Sequence, residues 1–464
     1  MNTLSKAARL TLFSAAIILL ALTGVPKLNA QATDSNIVGT VTDATGAAIP
    51  AAKVTATNTA TNVKYDTVTN MDGEYRLNNI PIGTYTVSAT KAGFTTGSKS
   101  GVQLDLNRTA SVNVTLAVGT VETSVDVTES AALIDTNSSQ LQTIFDASAA
   151  SDLPAAGSSK LINGAGIYNI SLGAAGVAMA GGIGYGTGPS VAGQRSENNT
   201  FSIDGVNNDD HDVTGPLVYI SNEAVAQFSI LQNQFSPEFG GASGGVFNVI
   251  VKSGTNQIHG SLYEYFQNRD LNAVDNTYVL AGNRTNPRYD NNRLGATIGG
   301  PIKKDKLFYF GNFEYNPLGQ ASTPAAPVYA PTAAGIALLN GMSGLNKTNL
   351  GIFEKFVPVA PAAGSPTPIV VNGINIPTGP LQFASANFSN SYHAIAAVDW
   401  DISNTDQLRG RYIYDKNSAS DTNASLPVFY APEPTLNNML TLSEFHNFSP
   451  TFENELRLAY SRHN

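Results

Sequence analysis

Alternation of apolar and polar residues dominates the second half of the chain. Short segments whose side chains alternate between two faces are separated by connections rich in Gly, Pro and Asn, and a period of two is typical of β-strands. In one such segment Tyr392, Val398 and Trp400 share a face, and His393 and Asp399 lie on the other. The pattern predicts seven strands, at 258–267, 291–300, 306–316, 391–402, 405–415, 437–447 and 451–461.

The connections between these segments alternate in length. Short turns are predicted at 301–305, 403–404 and 449–450, and long connections lie between them, of which 317–390 is the longest. Outer-membrane barrels have short periplasmic turns and long extracellular loops. The alternation therefore favours a membrane barrel over a soluble sandwich, and it predicts that the Pro- and Ala-rich insert at 319–379 is an external loop.

A similar alternation fills the N-terminal region at 34–118, in shorter segments with turn residues between them. The strands predicted there are 37–41, 54–56, 75–77, 85–89 and 110–116. This pattern predicts a small β-sandwich. Its role is either structural or the binding of a glycan or protein partner, and the sequence leaves both open.

Between these regions the chain is rich in glycine and asparagine. Strands are predicted at 199–204, 228–231 and 246–251 and a short helix at 141–149, whereas 173–188 holds too much glycine for a stable element. The last of these strands leads through a turn into the first alternating segment. A compact middle domain is thus expected to end where the strand-rich region begins.

Three motifs in order carry a family resemblance: VAGQRSENNTFSIDGVNNDD at 191–210, GGASGGVFNVIVKSGTNQIHGSLYEYFQNRDLNA at 240–273, and LGATIGGPIKKDKLFYFGNFEY at 294–315. They resemble the TonB-dependent transporters of the bacterial outer membrane, above all the Oar-like branch with its N-terminal carboxypeptidase-regulatory-like domain. The resemblance implies a mainly β chain. Its expected parts are a prealbumin- or immunoglobulin-like β-sandwich at 34–118, a linker at 119–137, an α+β plug domain at 138–256 and the N-terminal part of a transmembrane antiparallel β-barrel at 257–464.

The number of predicted strands departs from that family. A plugged transporter barrel has about 22 strands of about 9–11 residues each. Seven strands left as an open sheet would expose unpaired backbone groups to lipid. We therefore expect the barrel to be truncated, as in a truncated gene or a fragment of a longer protein.

By resemblance, the chain is expected in the outer membrane, with its N-terminal domain in the periplasm and its barrel in contact with lipid. It would take up a solute too large for porins, such as an oligosaccharide or a peptide. The TonB complex of the inner membrane would supply the work, and no cofactor, metal or catalytic residue is implied. The alternative function is a secreted or surface adhesive, glycan-binding β-protein without transport activity.

Two stretches are candidate contact sites. In this family an extended segment before the plug is captured by TonB as an added strand; its counterpart here, if not a plain linker, is Thr123, Ser124, Val125, Asp126, Val127, Thr128 and Glu129. The loop after the strand at 199–204 carries carboxylates and amides, which bind hard cations or polyhydroxylated solutes when they are not simply solvated. The residues of this candidate ligand-facing loop are Asn207, Asn208, Asp209, Asp210, His211 and Asp212.

Composition argues against nucleic-acid binding and cysteine chemistry, and the N-terminal segment predicts export. Charged residues make up 13% of the chain and the net charge is -9, so no basic surface for nucleic acid is expected. Cysteine is absent, which excludes disulfides and thiolate chemistry. Residues 1–30 have the basic start, the apolar run and the small residue at Ala30 that are typical of a cleaved signal peptide.

Catalytic motifs are weak. Ser243 lies in a G-x-S-x-G match at 241–245, but a nucleophile elbow requires a helix after the serine, and a β-branched strand is predicted there. The five histidines show no metal-ligand spacing. The sequence therefore predicts that the chain is not an enzyme.

Overall fold

The structure is a computed structural model. It describes residues 33–119, 125–128, 140–152, 167–178, 188–211, 214–232, 239–274, 276–280, 282, 284–322, 328–362, 368–381, 385–421, 424 and 426–464. The predicted signal peptide and most of the predicted linker lie outside these ranges. None of the helices described is long and apolar enough to cross a membrane.

The N-terminal unit is a sandwich of two β-sheets. Its strands are β1 (Ser35–Asp43), β2 (Lys53–Asn58), β3 (Lys64–Val68), β4 (Glu74–Ile80), β5 (Gly83–Thr90), β6 (Gly97–Leu104), β7 (Thr109–Ser111), β8 (Val114–Leu116) and β9 (Val125–Thr128). One sheet has the order β4-β1-β7, with β8 also paired to β1, and the other has the order β3-β2-β5-β6-β9. Alternate residues fill the space between the sheets: in β5, Tyr85, Val87 and Ala89 are fully buried.

Two features of the sandwich differ from the prediction. Strands β3 and β6 were not expected, because each carries many polar residues and pairs at a sheet position that the sequence does not reveal. The segment predicted as one strand at 110–116 is two strands, β7 and β8, which both run parallel to β1. The break falls at Asn113, whose Oδ1 accepts the Thr40 backbone N–H at 2.9 Å in place of a ladder bond.

The second unit, which we call the plug, is built on a mixed sheet. Its strands are β10 (Gln142–Asp146), β11 (Val177–Ala178), β12 (Ser190–Val191), β13 (Thr200–Ile203), β14 (Val206–Asn207), β15 (Val225–Gln232) and β16 (Gly245–Val251); its helices are α1 (Ala147–Asp152) and the 3-10 turns Ile167–Gly173, Ser196–Asn198 and Asn222–Ala224. The main sheet has the order β10-β15-β16-β13-β14, and only the β13–β16 pair among these is parallel.

Aromatic rings form the centre of the plug. Phe201 stacks on Phe247 with 4.9 Å between ring centroids, and Tyr168 meets the edge of Phe201 at 5.3 Å. Such pairs contribute about 0.5–1.5 kcal/mol beyond the area they bury. All three side chains are at most 1% exposed.

The helix predicted at 141–149 is wrong for most of its length. Residues 142–146 form β10 and pair along β15, where Phe145 stacks on Phe228 at 5.9 Å. The helix begins only at Ala147, and the Asp146 carboxylate caps it by accepting the Ala149 N–H at 2.8 Å. These cap hydrogen bonds hold the pKa of Asp146 below its usual value. Pairing with a partner distant in sequence thus outweighed local helix propensity.

The third unit, which we call the wall, is one antiparallel sheet in which each strand pairs with the next along the chain. All seven predicted strands are present, and most are longer than predicted. They are β17 (His259–Asn268), β18 (Tyr289–Lys303), β19 (Leu307–Ser322), β24 (Ser385–Asp401), β25 (Asp406–Asp421), β26 (Ala431–Ser449) and β27 (Phe452–His463).

The long connections of the wall carry their own elements. Helix α2 (Asn276–Leu280) follows β17, and the 3-10 turn Pro427–Phe429 precedes β26. The insert after β19 contains β20 (Val328–Pro331), α3 (Ala333–Gly341), α4 (Lys347–Phe356), β21 (Ile369–Val371), β22 (Ile374–Ile376) and β23 (Thr378–Leu381). Its two helices begin at side-chain caps from Thr332 and Asn346 and enclose a small core with Leu339, Leu350 and Ile376.

Candidate functional site

The two faces of the wall differ in polarity, since the outward face is apolar and the inward face mixes polar residues with apolar ones such as Ile413 and Met439. On the outward face Val398, Trp400 and Leu440 are 43, 44 and 53% exposed, whereas on the inward face Arg411 and Thr441 are 5 and 3% exposed. This is the arrangement of a membrane barrel, with apolar residues toward lipid and polar residues toward the lumen. The inward face contacts the plug, and the polar contacts between them form the candidate site.

Arg411 on β25 is the most buried ionic link between wall and plug. Its Nε lies 2.7 Å from Oδ2 of Asp204 in the plug, and its Nη1 lies 2.7 Å from Oδ1 of Asp399 on β24. The other Asp204 oxygen accepts the Val251 N–H at 2.9 Å. The arginine is therefore shared by one carboxylate of the plug and one of the wall, so the plug cannot leave this position without separating buried charges.

A second link centres on Glu314 of β19. Ser221 of the plug donates its Oγ–H to Glu314 Oε2 at 2.7 Å, and the Tyr263 hydroxyl donates to the same oxygen at 2.9 Å. Asn312 donates to the Tyr263 hydroxyl at 3.1 Å, and Arg293 Nε lies 3.9 Å from Glu314 Oε2. Hydrogen bonds to an ionised carboxylate are stronger than neutral ones, so this cluster fixes the plug against β17 and β19.

Main-chain groups of the plug also bind the wall. The Tyr219 N–H donates to Asp415 Oδ2 at 3.0 Å, and Nδ1 of His393 lies 3.1 Å from the other Asp415 oxygen. Asn437 donates to the Leu217 carbonyl at 2.7 Å. The wall side chains thus satisfy backbone groups of a plug loop that would otherwise be buried without partners.

Gly205 marks a close approach of plug and wall. Arg457 donates its Nη1–H to the Gly205 carbonyl at 2.8 Å. The backbone there has φ of +69°, and a Cβ at this position would lie 2.0 Å from Arg457 Nη1. A larger residue would be strained at this φ and would displace the Arg457 guanidinium, so glycine suits the position. The interface also has an apolar part, since Phe310, Ile395, Ala397, Ile413 and Met439 of the wall are buried in one cluster with the plug core.

The predicted ligand-facing loop is largely bonded to other parts of the plug. Asn208 is fully buried, and its side chain both donates to the Val218 carbonyl and accepts the Val218 N–H, each at 3.0 Å. Asp209 accepts the Phe201 N–H at 2.6 Å and a hydrogen bond from Asn207 at 3.2 Å. Asn208 is therefore a structural residue of the plug.

Asn207 and His211 are exposed, Asp210 is partly exposed, and Asp212 lies outside the described residues. Burial raises the pKa of Asp209, although its hydrogen bonds from Phe201 and Asn207 act in the opposite direction. Ligand contact by this loop stays a prediction, and its accessible members are Asn207, Asp210 and His211.

The predicted TonB-contact segment is described only at 125–128. These residues form β9, which pairs in parallel with β6 and is the last strand of its sheet. Thr123, Ser124 and Glu129 lie outside the described residues. The segment thus occupies a sheet edge, the kind of position at which strands are added, and its role stays a prediction.

The structure also joins polar residues that the sequence analysis did not connect. Ser221, Asp204 and Glu314 were not singled out, because their partners lie far away in sequence and only the alternation on the wall hinted at inward polar positions. Asp406, Glu444 and His446 offer ligand atoms within 4.8 Å of one another near a short turn. Asp406 already accepts a hydrogen bond from Ser403 and contacts His446, so we assign no metal to this cluster.

Family comparisons agree with this geometry. Residues 250–464 match the outer membrane beta barrel domain family, and residues 36–117 match the carboxypeptidase regulatory-like domain family. The TonB-dependent transporter Oar of Myxococcus xanthus is 31% identical over 292 residues, which cover 61% of this chain and 27% of that protein. The chain is similar to the TonB-dependent receptor family in its barrel and regulatory-like domains. Its mainly β fold and its place in the outer membrane, both expected from the sequence, are thereby confirmed.

Two further outer-membrane proteins show weaker likeness. The probable TonB-dependent siderophore receptor PirA of Acinetobacter baumannii is 26% identical over 153 residues, which cover 27% of this chain and 18% of that protein. The outer membrane transporter YddB of Escherichia coli is similar in structure with a TM-score of 0.47 and 10% identity, covering 69% of this chain and 38% of that one. The chain thus spans less than a third of each of the two curated relatives named here. These relatives are transporters and receptors.

Proposed function

We propose that this chain provides the sandwich, the plug and part of the barrel wall of a TonB-dependent uptake receptor. The observation that carries the proposal is the docking of the plug on the inward face of a wall, where polar and apolar side chains both contact it, while the outward face is apolar. Ion pairs and hydrogen bonds such as Arg411–Asp204 hold that interface. Water can replace polar contacts more readily than apolar ones, so the interface suits a plug that moves under force.

Trp400 offers a direct test of the lipid-facing wall, because it is the single tryptophan of the chain and lies on the outward face. In lipid vesicles its emission should shift to the blue, and lipids brominated in the acyl chain should quench it. The same chain acting as a soluble adhesive protein would leave Trp400 in water, with neither effect. That outcome would favour the alternative function.

The energising partner is proposed to be the TonB complex of the inner membrane, which would add a strand at the edge formed by β9. Main-chain hydrogen bonds carry this mode of binding, so a proline in the segment should weaken it. We expect Val127→Pro to abolish TonB binding in a pull-down and energy-dependent uptake together. The conservative change Val127→Thr keeps the backbone donor and should leave both intact; equal loss in both variants would contradict strand addition.

The solute is proposed to be an oligosaccharide or a peptide too large for porins. Support comes from the accessible amide and acidic side chains of the plug loop, which suit polar ligands. We would measure binding of fluorescein-labelled maltodextrins and of labelled casein peptides to the membrane-embedded chain. His211→Ala together with Asp210→Asn should weaken binding of the probe that is recognised, whereas Asp72→Asn in the exposed turn before β4 should not. Unchanged affinity in the double variant would remove the loop from the site.

A further inference from the structure

The sandwich touches the short-turn end of the wall at several points. In the turn between β24 and β25, Asn404 donates to Asp66 Oδ2 of the sandwich at 3.1 Å. In the turn between β26 and β27, the Pro450 carbonyl accepts a hydrogen bond from Asn78 of the sandwich at 3.0 Å. Neither contact was expected, because the sequence analysis treated the sandwich as a separate periplasmic module.

The remaining short turn, between β18 and β19, is linked to the sandwich by Asn256. This residue donates its Nδ2–H groups to the Thr61 carbonyl of the sandwich at 2.6 Å and to Asp305 Oδ1 of the turn at 2.7 Å. Its main-chain N–H also donates to the Ala60 carbonyl at 3.1 Å. All three short turns described between wall strands are therefore bound to the sandwich or bridged to it.

An ion pair strengthens this docking. Arg409 of β25 donates two hydrogen bonds, both 2.8 Å long, to the two carboxylate oxygens of Asp34, and the side chains are 17 and 5% exposed. The guanidinium lies 4.4 Å above the centre of the Phe445 ring. Bidentate pairs of this kind are geometrically specific. Nearby, the Tyr65 hydroxyl donates to Asp401 at 3.2 Å, so the sandwich is held in one orientation.

The docked sandwich borders a half-open cavity beneath the plug, which we call the chamber. This cavity of about 560 Å³ is lined by Tyr65 and Pro81 of the sandwich, by Ala226 and Gln227 of the plug, and by Arg411 of the wall. Gln227 also binds the sandwich directly, since it accepts the Leu106 N–H at 2.9 Å. The sandwich thus forms the floor of a space whose roof is the plug and whose side is the wall.

We propose that the sandwich is a second closure of the barrel, which seals its short-turn mouth below the plug. In an outer-membrane barrel the short turns face the periplasm. A solute that passed the plug along the inward face of the wall would enter the chamber and meet the sandwich. The Asp34–Arg409 pair and the turn contacts must then open before the solute leaves. This gating role rests on the proposed function, whereas closure of the chamber does not.

Cysteine labelling tests the closure without any transport. The chain has no cysteine, so a single substitution gives a single thiol. We expect the Ala226→Cys thiol to react with a maleimide on a long polyethylene glycol chain at least about tenfold more slowly than an Ala44→Cys thiol on the exposed sandwich surface. Equal rates would overturn the proposal.

Weakened docking should open the chamber. Asp34→Ala leaves Arg409 without its partner, and Asn78→Ala with Asn404→Ala removes two turn contacts without creating a buried charge. Labelling of the Ala226→Cys thiol should rise toward the Ala44→Cys rate in both backgrounds. Glu74→Ala, at an exposed sandwich position, is the matched control and should leave the rate low. No change in the Asn78→Ala, Asn404→Ala background would contradict closure through the turns.

Gating is tested with a reducible cross-link. In the Asp66→Cys, Asn404→Cys chain a bis-maleimide with a central disulfide should tie the sandwich to the wall, stop uptake of a fluorescein-labelled maltodextrin or casein peptide, and release uptake after reduction. Undiminished uptake by the tied chain would overturn the gate. If the untied chain takes up no probe, the transport proposal fails instead, and the labelling rates still decide the closure.

Discussion

The sandwich and the wall use the same two-residue alternation in opposite senses. In β4 of the sandwich, Tyr75 and Leu77 are buried and Arg76 between them is exposed. In β26 of the wall, Thr441 is buried, whereas its neighbours Leu440 and Leu442 are 53 and 44% exposed. The backbone is equivalent in the two strands. The difference is the medium outside the sheet, which is water for the sandwich and lipid for the wall.

This inversion changes what holds each unit together. The sandwich is stabilised by apolar side chains removed from water, and each large one contributes about 1.5–3 kcal/mol. The wall places ion pairs and hydrogen bonds against the plug beside apolar side chains such as Ile413 and Met439, and the polar groups exchange hydration for fixed partners. Replacing a polar residue should therefore reduce stability most on the inward face of the wall. A new charge should be tolerated on the outer surface of the sandwich but not on the outward face of the wall.

The largest loss of stability is expected from Arg411→Ala. The substitution leaves Asp204 and Asp399 buried without their shared cation, and losses of this kind cost about 3–5 kcal/mol. Urea unfolding of the membrane-embedded chain would measure it. Lys416→Ala removes an exposed charge from the same strand and should change the free energy of unfolding by less than about 0.5 kcal/mol. Similar losses in both variants would show that the inward polar face is not special.

Leu440→Arg tests the medium outside the wall. An arginine facing lipid costs about 2–4 kcal/mol near the middle of the membrane. Val68→Arg is the counterpart on the sandwich, where the wild-type side chain is 59% exposed to water, and it should change stability by less than about 0.5 kcal/mol. Stability would again be measured by urea unfolding in vesicles. Equal effects at the two positions would mean that the outward face of the wall does not contact lipid.

Ser221→Ala should cause an intermediate loss of stability, which urea unfolding would measure. It removes a donor to the buried Glu314 carboxylate, and hydrogen bonds to charged groups contribute about 1.5–3 kcal/mol. Ser202→Ala in the plug removes a hydrogen bond to the neutral amide of Asn248 and should cost about 0.5–1.5 kcal/mol. If Ser202→Ala were the more damaging of the two, the plug would be held mainly by its own sheet.

The smallest change in stability is expected from the titration of Lys252, which lies at the end of the plug beside the chamber. Burial lowers its pKa from the usual 10.5, although Glu223 acts in the opposite direction. The unfolded chain therefore binds more protons than the folded chain, and the free energy of unfolding should increase as pH rises toward 10.5. Lys252→Met should be more stable than the wild type at neutral pH and should lack this dependence. Unfolding midpoints at pH 7 and 10 would decide it.

Local patterns in the sequence determined the number and the type of most elements. The seven wall strands, β1, β2, β4 and β5 of the sandwich, and β13, β15 and β16 of the plug were predicted, because a period of two residues is a property of neighbouring side chains. Where local preference and pairing disagreed, the prediction failed, as at β10. The family motifs then supplied the domain order, which pattern alone does not carry.

The tertiary structure decided which residues meet. Arg411 contacts Asp204 across 207 positions of the chain, and Arg409 contacts Asp34 across 375. Such pairs depend on strand register and on how whole units dock. Both are set by the sum of many long-range contacts, so a short stretch of sequence does not reveal them. The same reason placed Asn208 inside the plug rather than on its surface, and brought the sandwich onto the short turns of the wall.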